Sequence, residues 1–209
     1  MADIEEMFLG EEEDEEVMTA KAVLNVINEA WSNEKLSPEL LPHKAEFVEV
    51  MIEQVEQMEE NVKGLDPTDL RSLIHRHELE RIKFLLRSYL RTRLSKIETY
   101  SMWLYRNPDS LSPQEAVYLK EYLTLSVNPL KAMCERMPGP VGQLNPNQME
   151  IAPDFETHVF IKSKEDLNEA IIIQNNLRED EVTIGKDSQH IIPYISIRDH
   201  VKSSKISLI

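Results

Sequence analysis

The chain has 209 residues, 41% of them apolar, with 38 acids against 23 bases for a formal charge of −15. That length allows one large domain or one plus a small one, and the apolar share is too high for a disordered chain. No run approaches the roughly 18 apolar residues of a membrane span, and the net charge excludes a surface that binds nucleic acid throughout while leaving local patches open. The N-terminus shows no secretory leader and the single Cys134 can form no internal disulfide, so a soluble protein of a reducing compartment, cytosol or nucleus, is expected.

Residues 1–17 form an acidic tail with nine acids and no base, which leaves only −6 for the remainder. Like charges repel and little apolar surface is available to bury, so this segment is expected to be disordered alone. Ile4, Met7, Phe8 and Leu9 precede the glutamate run at a spacing that one or two helical turns could present together. They read either as a docking peptide or as incidental hydrophobes in a solubilising tail.

A helical domain is expected over 18–137. Val23, Leu24, Ile27 and Trp31 recur at helical intervals behind Thr19, a candidate N-cap. Ser37-Pro38-Glu39 offers a second start signal that Pro42 interrupts, so the next helix should run from about Lys44 to Lys63. Its apolar stripe is Val48, Met51, Ile52, Val55, Met58 and Val62, flanked by Glu46, Glu49, Glu53, Glu56 and Glu60. Gly64 ends it and Asp66-Pro67 caps a third helix that meets no proline or glycine before Pro108, up to about 40 residues or 60 Å. This long central helix is basic, with Lys83, Arg87 and Arg91 in one i, i+4, i+8 row that wants acids opposite. An antiparallel hairpin would pair Glu60 with Arg71, Glu56 with Arg76, Glu49 with Lys83 and Glu46 with Arg87. Beyond that reach Phe84, Leu85, Leu86, Tyr89, Leu90, Leu94 and Ile97 occupy more than one face, which predicts cover from several sides. Ser110 or Ser112 with Pro113 opens a fourth helix that Pro129 kinks or splits.

Residues 138–153 hold four of the 11 prolines and two of the five glycines and read as a linker. From 154 to 209 the pattern becomes short and β-branched, "THVFIK", "AIIIQ", "EVTIG", "HIIPYISI" and "SKISLI", as in a small β-rich domain. A module of that size buries little surface alone and is expected to dock on the helical domain or on a partner. The fold class is thus mainly α: an N-terminal helical bundle with a long central helix, then a small C-terminal β-rich domain.

Motifs for catalysis are absent. The six histidines form no HExxH or zinc pattern, and His75 and His77, two apart on a helix, point about 200° from one another. There is no phosphate-binding loop, and Cys134 follows no nucleophile signature. Neither an enzymatic activity nor a cofactor is expected. The basic stretch 71–96 leaves a stand-alone helical DNA-binding or adaptor protein as the alternative to an acid-paired protein interface.

The run "ERIKFLLRSYLRTRLSKIE", the upstream "EAWSNEKLSPELLPHK" followed by "VEQMEENV", and "KDSQHIIPY", where the family has "GSQHIIPY", resemble the Sld-five family of the eukaryotic GINS complex. The segments agree in order over most of residues 19–209, least well over 106–115. The resemblance implies a non-catalytic subunit of a nuclear heterotetramer. Its partners would be three other GINS subunits, the minichromosome-maintenance helicase motor and the cell-division-cycle-forty-five protein, and the complex would activate the replicative helicase. It also implies contact with neighbouring subunits through the long helix, for which Phe84, Leu85, Tyr89, Leu90, Arg91 and Leu94 are the candidates, and an assembly role for the C-terminal domain with Ile206, Leu208 and Ile209. On this reading Arg91 is buried at an interface, so Arg91→Glu should weaken assembly more than a surface change would. A trimeric replisome adaptor reading the tail at Ile4, Met7, Phe8 and Leu9 is a further implied partner; direct DNA contact stays open, and no membrane is expected.

Overall fold

A computed structural model describes residues 19–65, 69–139, 150–166, 171–175 and 178–209. The tail peptide at Ile4, Met7, Phe8 and Leu9 and most of the expected linker lie outside them. The order is α1 (Ala20–Leu36), α2 (Ala45–Lys63), α3 (Leu70–Thr99), α4 (Ser101–Arg106), a 3-10 turn, α5 (Pro113–Cys134), β1 (His158–Ser163), β2 (Ile171–Asn175), β3 (Arg178–Val182), β4 (Gln189–Pro193), α6 (Tyr194–Lys202) and β5 (Ile206–Leu208).

Thr19 caps α1 as its position suggests, accepting from the Ala22 amide. α1 outruns the expected end by more than a turn and stops at Leu36, where Pro38 cannot continue it. The second start signal does not develop: residues 37–44 stay non-helical between Pro38 and Pro42. Asp69 caps α3, accepting from the Arg71 amide at 3.1 Å. The long helix then breaks at Tyr100 into α3 and α4. Ser112 and Glu115 form a reciprocal capping box on α5. That helix runs through Pro129 without splitting; the surrounding turns are exposed, so water can serve the carbonyl that loses its amide partner.

Two cores hold the helices. The first joins Val23 and Ile27 of α1, Val48, Met51 and Val55 of α2, and Leu79, Leu86 and Tyr89 of α3. Hence α1 supplies the cover that α2 alone could not give. The second gathers Leu40, Ile97, Leu104 and Leu119 at the far end of α3, where α4 and α5 pack.

The expected hairpin pairings do not form. Glu46, Glu49, Glu56 and Glu60 face solvent, as do Arg71, Arg76 and Arg87. Among the described residues no ion pair joins Glu60 to Arg71, Glu56 to Arg76 or Glu46 to Arg87, and Lys83 pairs with Glu59 and Glu80 rather than Glu49. Counting back from the turn presumed that the acidic row faces α3. In the three-helix packing Val48, Met51 and Val55 take the inner side of α2 and turn that row outward.

In the C-terminal part β1 is the centre of an antiparallel sheet ordered β4-β1-β5, with Phe160 opposite Ile191 and Ile161 opposite Leu208. β2 and β3 make a separate ribbon. The strand expected at "EVTIG" lies upstream, as β3. "HIIPYISI" divides at Pro193: β4 precedes it and α6 follows. Tyr194, Ile197 and Val201 fall at i, i+3 and i+7 and bury one helical stripe, a period that their β-branched neighbours disguised. Those three join Val159, Ile161, Ile192, Ile206 and Leu208 in a third core, which also takes Leu41 from the loop after α1.

Candidate partner-contact surface and the buried ion network

Residues 33–41 join the two parts of the molecule. Pro38 and Pro42 hold this segment out of helix, so adjacent side chains diverge: Leu40 enters the helical core and Leu41 the C-terminal core. Between them Glu39 points at α6 and is almost fully buried. Its carboxylate accepts from the Tyr194 hydroxyl at 2.9 Å and from Arg198 Nε and Nη2 at 2.8 and 2.6 Å, a two-point guanidinium contact. The bond to Glu39 holds the Arg198 pKa above its ordinary value, and burial followed by the Glu39 charge pushes the Tyr194 hydroxyl far up, so that it stays a donor. Arg198 also lies over the Phe155 ring at 4.8 Å, and Phe155 meets Trp103 of α4. On the other side of the joint Asn33 Oδ1 accepts from the Leu208 amide at 2.8 Å, tying β5 to α1.

Arg93 lies at the centre of the helical end with no solvent exposure. Nε and Nη2 donate to the two Glu115 oxygens at 2.7 and 2.9 Å, Nη1 to Glu34 Oε2 at 3.1 Å and the Leu41 carbonyl at 2.6 Å, and Nη2 also to the Ser110 carbonyl at 3.0 Å. Burial opposes this charge, but the bonds to Glu115 and the charges of Glu34 and Glu115 outweigh it and raise the pKa. Glu115 is held below the usual carboxylate range because Arg93 overcomes its burial. Lys96 donates to Glu34 Oε1, Ser37 Oγ and the Glu39 carbonyl, each at 2.8 Å, and its burial lowers its pKa despite Glu34. Every described donor in this network has an acceptor, which is what a buried charge needs to be tolerated.

The basic helix is therefore divided. Arg93 and Lys96 are spent inside, Lys83 is paired with Glu59 and Glu80, and Arg87 and Arg91 face outward. The candidate contacts divide as well. Leu85, Tyr89, Ile206 and Leu208 are buried within this chain, and Leu90 packs against its first core, so their apolar surface already has cover. Phe84 is 60% exposed, Leu94 36% and Ile209 53%, and these remain uncovered. In this chain by itself Arg91 is exposed, and the inward position two residues on belongs to Arg93.

Sequence reasoning missed Arg93, Glu34 and Glu39. A signal existed: Leu86, Tyr89, Arg93 and Ile97 follow i, i+3, i+7, i+11, placing one cation in the apolar stripe, and a buried cation demands acids. The Ser112-Pro-Gln-Glu115 capping-box pattern marked one of those acids as fixed in position.

Among the described residues no group of three His, Cys, Asp or Glu side chains could hold a metal ion, and no helix is long and apolar enough to cross a membrane. The architecture is that of a helical bundle carrying a latched β module. Residues 23–133 match the family described as the GINS complex protein helical bundle domain, and residues 153–209 the DNA replication complex GINS protein SLD5 C-terminus. The chain is similar to DNA replication complex GINS protein SLD5 of Xenopus laevis, 36% identical over 211 residues covering 96% of each chain. It is 34% identical over 218 residues to the Homo sapiens SLD5 protein, covering 97% of each, and 30% identical to that of Schizosaccharomyces pombe over 86% of this chain and 88% of the relative. The chain belongs to the Sld5 family of GINS complex proteins.

Proposed function

We propose that this chain is a non-catalytic structural subunit of a heterotetrameric GINS complex that acts in the nucleus as co-activator of the replicative DNA helicase. The ATP chemistry would belong to the minichromosome-maintenance motor, with the cell-division-cycle-forty-five protein completing the assembly. The observation that carries this reading is the match to both family domains in order across nearly the full length of relatives whose names place them in a DNA replication complex. Large apolar side chains left uncovered on the helices, Leu73, Phe84 and Leu125 among them, support a chain that completes its packing against other subunits. The tail at Ile4, Met7, Phe8 and Leu9 remains our candidate for an adaptor-docking peptide. A stand-alone DNA binder is the weaker reading, because Arg93 and Lys96 are withdrawn from the basic face.

The test is light-scattering mass of the chain alone and co-expressed with the three other GINS subunits. A single 1:1:1:1 species is the expected result. A chain that stays monodisperse and ignores those subunits, while binding duplex DNA with a steep salt dependence, would overturn the proposal in favour of the DNA binder.

A further inference from the structure

A groove of about 500 Å³ opens between α1, α2 and α3, with Leu24, Val55, Met58, Leu79 and Ile82 in its lining. Val55 and Leu79 belong to the first core, so the floor of the groove is that core left open to the surface. Ala20, the first residue of α1, lines it together with Asn61 near the end of α2, which places it at the end of the bundle where α1 starts. Met58 is 38% exposed there, while Val55 and Val62, about one turn to either side, are buried. Lys21 and Glu78 are the charged residues of the lining and offset one another, and Gln54, Gln57 and Asn61 add neutral amides. α1 carries no acid in its first turn, so the positive end of its dipole has no matching charge from within the helix.

We infer that this groove is the seat of residues 4–9 of the same chain, so that the tail docks on its own bundle. The segment that precedes α1 joins it at Thr19, next to Ala20 and Lys21 of the lining, and therefore leaves from the mouth of the groove. Ten residues separate Leu9 from Thr19 and reach about 33 Å, roughly twice the 15 Å of α2 between Met51 and Asn61. Ile4, Met7 and Phe8 fall at i, i+3 and i+4, one apolar face for an apolar floor. The acids at 11–16 then come to lie close to the amino end of α1, where its dipole and Lys21 favour them. A tether this short holds the segment at millimolar effective concentration, so an affinity of only about 0.1 mM keeps it seated about nine-tenths of the time. A second protein has no such advantage. The consequence for the tail rests on its proposed role as an adaptor-docking peptide: the adaptor must displace it from the groove, and its apparent affinity falls about tenfold.

The experiment uses the full chain, alone and co-expressed with the three other GINS subunits, with p-benzoylphenylalanine in place of Phe8. Illumination should join position 8 to the groove of the same chain, at a peptide between Met51 and Asn61 or between Glu78 and Ile82. Met58→Glu, at an exposed position, should cut that crosslink about fivefold while the helical circular dichroism matches wild type. Ile4→Asp with Met7→Asp, which alter no residue of the bundle, should cut it by a similar factor. Crosslinking to another subunit or to a second copy of this chain, no crosslink in either sample, or a groove crosslink that survives both sets of changes overturns the inference and leaves the proposed function standing. Capture by the groove in a chain that enters no tetramer supports the seat and overturns the proposed function alone.

Discussion

Replacing Arg93 with methionine keeps much of the side-chain volume and removes the guanidinium that five acceptors share. Removing one partner of a buried ion pair costs about 3–5 kcal/mol, because the opposing charges stay desolvated. Here the loss should sit near the lower figure. Lys96 still donates to Glu34, and Glu115 keeps the Ser112 amide, so the unserved groups are mainly one Glu115 oxygen and the Leu41 and Ser110 carbonyls. For a chain of this length a loss of about 3 kcal/mol lowers the melting temperature by roughly 6–12 °C. Thermal unfolding followed by circular dichroism measures it, with Arg91→Glu, at an exposed position on the same helix, as the control expected to leave the melting temperature nearly unchanged. Adding Glu115→Gln to Arg93→Met should cost less than the two single changes summed, since each alone strands the other. A loss below about 1 kcal/mol for Arg93→Met, or equal losses for both arginines, would refute the argument that Arg93 is a desolvated, fully satisfied charge.

Glu39→Gln keeps the shape of the side chain and deletes the charge that Arg198 and Tyr194 grip; weakened docking should appear as faster hydrogen exchange in β1, β5 and α6, with α2 and α3 unchanged. Leu208→Ala opens the C-terminal core where only 3% of the residue is exposed and should cost about 2–5 kcal/mol, read as a lower urea midpoint. His43 stacks on Tyr89, and its buried Nδ1 has no partner in the described structure; burial holds its pKa below the ordinary 6.5. With the folded-state pKa depressed, the unfolded chain takes the proton first as pH falls below about 6.5, so stability is lost between that value and the lower folded one. His43→Phe should flatten the stability curve across that window in urea titrations at several pH values, and an unchanged slope would show that His43 is not the titrating group.

The helices and the change of period near residue 154 were legible because each leaves a local trace: apolar spacing, a cap, a proline. Thr19 and Ser112 sit at helix ends where their hydroxyls accept from backbone amides, and Gly64 ends α2 with a right-handed backbone. What could not be read depends on partners far away in the chain. The hairpin arithmetic failed because spacing fixes which residues share a face of α2 and leaves open which way that face turns, a choice made here by the packing of α1. α6 was hidden because isoleucine and valine favour strands locally, while its stripe buries only against a sheet supplied by β1, β4 and β5. The outward position of Phe84 and the inward position of Arg93 were likewise settled by tertiary packing.

The bond between Asn33 and Leu208 spans 175 residues. A ribosome adding about 5–20 residues each second reaches Leu208 roughly 10–35 s after Asn33 has been made. For most of that interval Glu39 has neither Tyr194 nor Arg198, and the core that Leu41 enters is incomplete. The bundle can therefore form early from its own three helices while the strip that receives the β module stays unfinished until β5 closes it. A nascent chain stalled before β5 would leave that strip uncovered, so the two parts join only once β5 has been made.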